Sequence, residues 1–410
     1  MKFSDVKLLL PSSGYMKTSE VDSRTVIDEI RDASYERNHQ SFVGDDRPEL
    51  HKTLDGKYQV CVEKESTNLF RDSNPETNPQ QGDVNDVSFD INDWGIGVMG
   101  KVIYADNSTL RRYRNVNTLP SGDYTIFFLI KPDDGNIPLF RGEVGAGSSI
   151  ANIDFPGLAV DYTVHYKKEI APGIWHVGGY GEGTEESDGF GVSKFVIYNN
   201  VGFEVTQIHV LEGIHMYPTL PILTQGTPVT RLAPDVKLDK TYNTTQGGMF
   251  SFVANHVFTD SLSNSRLKLI GATDVVNFIV DTRNSNRVQF RFGGSGELRT
   301  FGFPWQPNNT FKTWAYFFYF KAGIYKFAVY NTDTQQIFIS STIDDSANHS
   351  EIITDISLST ALPTTVGSVK FEKFSDYSVP NAPPSNEEIK QMMLKEIKGT
   401  SIETSEMTII

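Results

Sequence analysis

The amino-acid sequence predicts an all-β protein with two tandem antiparallel β-sandwich domains of the jelly-roll kind, an N-terminal helical segment and a short C-terminal helix. Short apolar runs recur at even spacing between turn residues, a pattern typical of sandwiches and jelly rolls. The chain of 410 residues contains 27 Phe and 17 Tyr, residues that favour strands. Its length exceeds what one core usually organises, which indicates more than one domain.

Three stretches show the strand pattern most clearly. Residues 122–132, GDYTIFFLIKP, form an apolar run that a turn of Asp, Asp and Gly closes. Residues 194–213 predict two strands around Asn199 and Asn200. Residues 312–340 predict three strands, with breaks at 322–323 and 331–334.

Residues 19–40 carry the helical pattern of the N-terminal part. Val26, Ile30 and Ala33 recur at helical spacing with charged residues between them. The apolar face is narrow, so two interpretations stay open: a short surface helix, or a docking segment that completes its core on a partner. We assign residues 1–64 to an attachment segment.

A proline-paced stretch covers residues 217–236. Its four prolines remove backbone donors and fix φ, which opposes both helix and strand. The stretch is nevertheless rich in apolar side chains, which we expect to lie against both neighbouring domains. It therefore predicts a junction between one domain at 65–216 and another at 237–384.

The C-terminal segment, residues 385–410, predicts one well-delimited helix. Ser385 is the expected N-cap, Glu388 completes a capping box and Gly399 ends the helix. The expected apolar face consists of Ile389, Met392, Met393 and Ile397. Such a face needs a surface to cover, and two are open: the preceding sandwich, or neighbouring copies in a homo-oligomer.

Charge and cysteine content exclude several classes of protein. Lys and Arg number 37 against 51 Asp and Glu, a net charge of −14, which argues against nucleic acid and anionic membranes as partners. The single cysteine, Cys61, excludes an internal disulfide framework. No apolar run approaches the roughly 20 residues that span a bilayer, so we expect a soluble protein without membrane insertion.

The sequence lacks the motifs of a catalytic nucleophile, a phosphate-binding loop or a zinc site. The densest acidic cluster contains Glu182, Glu185, Glu186 and Asp188. A solvated hairpin loop and a calcium-binding loop are both open interpretations of it. We expect no enzyme activity, no cofactor and no metal site.

The junction resembles one found in tailed-bacteriophage fibre and appendage proteins. The strand ending VTQIHVLEG, followed by YPTLP and TPVTRLAPDV, is similar to that junction, although it has the single glutamate Glu212 and a proline before Asp235. TNLFRDSN at 67–74 resembles the start of a carbohydrate-binding-module-like jelly roll. NTFKTWAYFFYFKAGIYKFAVYN resembles the central hairpin of a laminin-G-like, concanavalin-A-like sandwich. The resemblance covers residues 65–400.

The resemblance implies a virion protein made in the host cytoplasm, with residues 1–64 docking on other virion proteins, and often a trimer. The favoured function is a tail-fibre, baseplate or appendage subunit that contacts host-surface polysaccharide. A purely structural virion component and a polysaccharide depolymerase are the alternatives. Sugar binding needs an exposed ring beside planar polar groups, and the candidates are Trp305, Asn308, Asn309 and Trp94.

Overall fold

The fold is known from a computed structural model of the chain. It describes residues 7–9, 16–21, 24–31, 39–41, 48–52, 57–63, 66–69, 87–93, 99–105, 109–116, 122–136, 141–144, 148–152, 163–183, 193–198, 201–212, 215, 222, 224, 228–231, 236–257, 266–271, 277–281, 289–291, 301–302, 311–348, 351, 353–361 and 368–410.

The chain divides into two compact units. Unit 1 joins Met1–Lys64 to Ala233–Ile410, and unit 2 is Glu65–Leu232. In sequence, unit 2 is therefore an insertion within unit 1. Strands make up most of the described residues, with one α-helix among them, which confirms the all-β prediction.

The strands of the N-terminal part of unit 1 are β1 (Lys7–Leu9), β2 (Met16–Val21), β3 (Arg24–Arg31), β4 (His39–Ser41), β5 (Glu49–Lys52) and β6 (Tyr58–Glu63). The strands of unit 2 are β7 (Ser66–Asn68), β8 (Val87–Asp93), β9 (Met99–Ala105), β10 (Thr109–Val116), β11 (Gly122–Pro132), β12 (Arg141–Val144), β13 (Ser148–Asn152), β14 (Thr163–Ala171), β15 (Ile174–Gly183), β16 (Ser193–Tyr198), β17 (Phe203–Glu212) and β18 (Val229–Arg231).

The C-terminal part of unit 1 contains β19 (Val236–Asn243), β20 (Gly248–Val257), β21 (Arg266–Gly271), β22 (Asn277–Asp281), β23 (Gln289–Arg291), β24 (Phe301–Gly302), β25 (Phe311–Lys321), β26 (Ile324–Asn331), β27 (Gln336–Ile339), β28 (Ile343–Asp344), a 3-10 turn (Ser346–Asn348), β29 (Ile353–Ala361), β30 (Ser368–Asp376), α1 (Asn386–Ile397) and β31 (Thr408–Ile409). The strands that the sequence predicts in 312–340 occur here as β25, β26 and β27, and those predicted in 122–132 and 194–213 occur in unit 2 as β11, β16 and β17.

Two sheets occur among the described residues of unit 1. The larger has thirteen strands, with the order β2-β3-β5-β6-β30-β20-β25-β26-β27-β31 along its main path. The smaller has six strands in the order β19-β29-β21-β22-β23-β24. Strand β6 pairs antiparallel with β30, so residues from both sides of the inserted unit share the larger sheet.

The described residues of unit 2 also form two sheets. The larger follows the order β14-β15-β11-β17-β7-β18, with β8 and β9 attached at β17, and the smaller follows β10-β16-β12-β13. Strands β7 and β18 pair antiparallel, with Asn68 opposite Val229 and Ser66 opposite Arg231. The chain therefore enters and leaves unit 2 along adjacent strands.

The N-terminal helix expected within residues 19–40 is replaced by strands. Strand β3 pairs with β2, β4 and β5. In a regular strand, as in a helix, residues four apart share one face, so the spacing of Val26 and Ile30 alone does not distinguish the two structures. The β-branched residues at 25, 26, 27 and 30 then favour the strand.

Strand β25 is buried on both of its faces. Ala315, Phe317 and Tyr319 belong to the core cluster that also contains the apolar side of α1. Tyr316 and Phe318 point to the other face, where each ring stacks with Phe252, at centroid distances of 4.9 and 6.0 Å. Burial on both faces explains why this strand reads as an unbroken apolar run.

The C-terminal helix begins and ends as the sequence predicts. Ser385 is the N-cap of α1, and its hydroxyl accepts from the backbone N–H of Glu388 while the Glu388 side chain accepts from the N–H of Ser385. Gly399 follows the C-cap with a φ of +81°, a conformation that glycine adopts without a steric cost.

Candidate functional site

Several predicted site residues fall where the structure gives no side-chain description. The four candidates for glycan binding lie outside the described residues: Trp94, Trp305, Asn308 and Asn309. Val26 and Ile30 lie on strand β3, and Ala33 lies outside the described residues. The functions expected of these residues therefore stay predictions.

The apolar face of α1 packs on the larger sheet of unit 1. Of the two surfaces that the sequence left open for it, this is the preceding domain and not a neighbouring copy. The four members of the face have at most 1% exposed surface and share a core cluster with β20, β25, β26 and β27: Ile389, Met392, Met393 and Ile397. These side chains are core residues of unit 1 and are not accessible to a second copy. The expected homo-oligomer would need another contact surface.

A buried polar cluster lies between α1 and the sheet of unit 1. Glu396 is 2% exposed, and its Oε2 accepts from Ser375 Oγ at 2.7 Å and from the Tyr377 hydroxyl at 3.1 Å. Tyr377 also contacts the Ser251 hydroxyl at 2.7 Å. Because every described group of this cluster faces inward, it holds the helix on the sheet rather than forming a site for a ligand.

A second carboxylate joins three distant parts of unit 1. Glu372 on β30 is 3% exposed and accepts from Gln59 Nε2 on β6 at 2.9 Å. It also accepts from the backbone N–H of Ser401 at 2.6 Å and from the Ser401 hydroxyl. These contacts of Glu372 are structural, and we assign it no catalytic or ligand-binding role.

Asn68 performs the corresponding structural role in unit 2. Its Oδ1 accepts from the backbone N–H of Val210 at 3.0 Å. Its Nδ2 donates to the carbonyls of Ile208 and Ile222 at 3.2 and 2.8 Å. Ile222 is 3% exposed and packs with Phe127 and Leu211, so this part of the proline-paced stretch is built into unit 2.

His209 completes this contact. Its Nε2 accepts from the backbone N–H of Ile222 at 3.2 Å, so a neutral ring carries its proton on Nδ1. That Nδ1 is buried without a hydrogen-bond partner. Burial lowers the pKa of His209 from 6.5 to about 4, so the ring is neutral in the folded protein at neutral pH.

Acidification is expected to destabilise unit 2 through His209. The unfolded chain takes up a proton near pH 6.5 and the folded chain only near pH 4, so stability is fully present above pH 6.5 and falls as the pH drops through this window. The loss should reach about 3 kcal/mol. The check is urea unfolding at pH 7 and pH 4 of the wild type and of His209→Gln, which stays neutral. An equal loss in both proteins would contradict the assignment.

Three rings form a cluster at the edge of the larger sheet of unit 2. Tyr166 and His176 contact edge to face at a centroid distance of 5.4 Å, and each lies 6.2 Å from Phe127. Phe127 is buried, whereas Tyr166 and His176 are partly exposed. We call these three residues, together with Lys168, the edge cluster.

Gly178 makes room for the buried ring of the edge cluster. A Cβ at this position would lie 2.1 Å from Cδ1 of Phe127, far inside van der Waals contact. Tyr166 and Gly178 are opposite each other on β14 and β15, as are Gly178 and Phe127 on β15 and β11. The rings therefore follow one line across the sheet, from its core to its edge.

The edge cluster also carries a positive charge and a neutral phenol. Lys168 is exposed and lies opposite His176, on the terminal strand of the sheet path. Burial raises the pKa of Tyr166 to about 12, so its hydroxyl is uncharged at neutral pH. Lysine on an edge strand also opposes pairing with another chain, so Lys168 alone does not indicate a ligand.

Among the described residues, no three His, Cys, Asp or Glu side chains are grouped closely enough to hold a metal ion. Glu182 lies on β15, and Glu185, Glu186 and Asp188 lie outside the described residues. In the same part of the chain, no helix is long and apolar enough to cross a membrane. Cys61, the single cysteine of the sequence, is buried.

The chain matches none of the known protein-family models. A search of curated proteins likewise finds no match.

Sequence reasoning weighed the tryptophans as candidate binding rings and passed over Tyr166 and His176. A signal for them exists, because Pro172 and Gly173 mark a hairpin turn between β14 and β15. Residues placed symmetrically about such a turn face each other across the two strands. Counting outward from the turn would pair Glu169 with His176, but the register shifts between Glu169 and Ala171, so that Lys168 lies opposite His176. The turn residues therefore indicate the hairpin, whereas the exact pairing depends on a bulge that they do not signal.

Proposed function

We propose that this chain is a structural protein of a phage particle, a tail-fibre, baseplate or appendage subunit that contacts host-surface glycan without cleaving it. The resemblance of residues 65–400 to phage appendage proteins supports this proposal, and the all-β fold agrees with it. We also propose that each unit is a β-sandwich, with a jelly roll in unit 2 and a laminin-G-like sandwich in the C-terminal part of unit 1. Residues 1–64 would then contact other virion proteins, and the chain would form a homo-oligomer, with a trimer favoured.

The edge cluster is the observation that best supports contact with glycan. A saccharide has apolar C–H faces and a rim of hydroxyl groups, so it suits an aromatic surface with a few polar groups beside it. Tyr166 and His176 offer partly exposed rings, and Lys168 offers a donor next to them. The buried contact of both rings with Phe127 holds them in place before any ligand binds.

Replacing Tyr166 with alanine is expected to weaken glycan binding by roughly tenfold, because losing about 1.5 kcal/mol of ring contact corresponds to that factor. The measurement is binding of the full chain to an array of bacterial surface polysaccharides, followed by titration of those that bind. Tyr325→Ala is the matched control, since Tyr325 is also partly exposed but lies on β26 of unit 1.

Four outcomes separate the candidate functions. Binding that Tyr166→Ala weakens and Tyr325→Ala preserves supports the edge cluster as the contact surface. Binding that neither variant changes places the contact elsewhere, with Trp94 and Trp305 next to be tested. No binding by a protein that is incorporated into particles favours the purely structural role, and release of reducing ends from a polysaccharide would establish a depolymerase.

A further inference from the structure

Residues 386–410 fold back over one face of the larger sheet of unit 1. Helix α1 buries its apolar side there, and β31 pairs parallel with β27 at the far end of the segment. Between these two contacts, Ser401 binds the buried carboxylate of Glu372. The segment is therefore fastened at three separate places.

Glu396 is the ionisable side chain of α1 that lies inside this contact. Its Oε2 has two hydroxyl donors, whereas its Oε1 is buried without a hydrogen-bond partner. A neutral carboxyl group tolerates such a place, but a carboxylate loses its hydration there and regains only part of it through two hydroxyls. The helix therefore docks at the lowest free-energy cost when Glu396 is protonated.

The charged groups near Glu396 do not remove the free-energy cost of ionising it. From β30, Lys373 directs its ammonium group to the carbonyls of Lys395 and Lys398 at 3.2 and 3.5 Å, so the C-terminal end of the helix already takes part of its charge. Lys395 and Glu403 act on Lys373 with opposite signs.

Apart from Lys373, the groups that act on Glu396 are the hydroxyls of Ser375, Tyr377 and Ser251, and the other phenols lie in the core cluster that α1 covers. Tyr377, which follows β30, and Tyr319, on β25, have pKa values that burial raises. The pKa of Tyr330, on β26, is also raised by burial. From β20, the hydroxyl of Ser251 contacts that of Tyr377, and the described residues of β27 have no ionisable side chain. Burial is the largest influence on Glu396 itself and raises its pKa, although Lys373 opposes the rise.

We propose that residues 386–410 form a clasp whose attachment to the sheet is controlled by the ionisation of Glu396. The protonated side chain keeps the clasp closed, and ionisation favours its release. Release would uncover the apolar side of α1, with Met392 and Met393, and the part of the sheet beneath it. The exposure of this apolar surface would therefore depend on the pH of the surroundings.

The raised pKa fixes the direction of the effect. In the released segment Glu396 ionises near its ordinary value of 4.5, and in the closed clasp only at a higher pH. The contribution of Glu396 to closure is therefore fully present below pH 4.5, is lost as the pH rises through the pKa of the closed form, and is constant above it. Within that window one proton changes the closure equilibrium by at most about tenfold per pH unit.

The test is hydrogen exchange of the full chain between pH 4 and pH 9, with each rate divided by the intrinsic rate at the same pH. We expect the amides of α1 to lose protection as the pH rises, by up to about tenfold per unit, while the amides of β25 stay protected. Glu396→Gln keeps the shape and an acceptor for Ser375 and Tyr377, and its α1 protection should not change with pH. Glu387→Gln, an exposed change on the same helix, should behave as the wild type.

A second variant covers the case in which Glu396→Gln does not fold. Ser375→Ala removes a hydrogen bond that lowers the pKa of Glu396, so the loss of protection should extend to higher pH. The proposal is overturned if α1 shows the same pH dependence in Glu396→Gln as in the wild type, or if α1 and β25 lose protection together. It is also overturned if Ser375→Ala leaves the pH range unchanged.

Discussion

Replacing Asn68 with leucine is expected to destabilise unit 2 by at least about 3 kcal/mol. The change leaves the N–H of Val210 and the carbonyls of Ile208 and Ile222 without the partner that Asn68 provides, in a place where no solvent reaches the side chain. Each buried group that loses its partner costs about 1–3 kcal/mol. Leucine has the same branched arrangement of side-chain heavy atoms as asparagine and a larger volume, so the change leaves no cavity and removes the polar contacts.

Hydrogen exchange of the β17 amides, measured against urea concentration, checks this expectation. Thr67→Val is the control, because the adjacent Thr67 has a hydroxyl contact with Thr230 near the surface, and the loss there should stay below about 1 kcal/mol. If Asn68→Leu costs no more than Thr67→Val, the assigned role of Asn68 is wrong.

Phe252→Ala is expected to destabilise unit 1 by about 3–5 kcal/mol, the usual range for removing a buried aromatic side chain. Phe252 has no exposed surface, and its ring lies near Tyr316, Phe318 and Phe371 at centroid distances of 4.9, 6.0 and 6.1 Å. These three neighbours are themselves buried in paired strands, so they cannot collapse freely into the space.

Phe338→Ala provides the comparison for Phe252→Ala. Phe338 is partly exposed on the short strand β27, so the same chemical change removes less buried surface there. Urea unfolding followed by near-ultraviolet circular dichroism measures both variants. Equal losses would mean that the aromatic layer around Phe252 relaxes, and that its packing is less specific than the ring distances indicate.

Local signals predicted the C-terminal helix, whereas the surface it covers could not be predicted. The capping box and Gly399 act within a few residues, so the sequence contains the whole cause of the helix boundaries. The burial of Met392 depends on β20, β25 and β27, which are far away in sequence. An amphipathic face indicates that the helix packs on some other surface, but it does not indicate which surface.

Strand β17 contains a bulge that its local sequence does not signal. Regular alternation would place His209 on the same face as Val205. In the structure Gln207 has a φ of +50°, and the register against β11 shifts, so that Val205 and Val210 share one face. This bulge turns His209 to the other face, towards Ile222. Glutamine has no preference for that conformation, so the sequence gives no warning.

The insertion of unit 2 within unit 1 has a consequence for the order in which the chain folds during synthesis. Strand β18 closes unit 2 against β7, so that unit can fold once residue 232 has emerged from the ribosome. Strand β6 must wait longer, since its Gln59 binds Glu372, 313 residues later. Until β30 emerges, one edge of β6 lacks its native neighbour. Completion of unit 1 is thus a late and slow event, during which a nascent chain carries one finished unit and one open sheet.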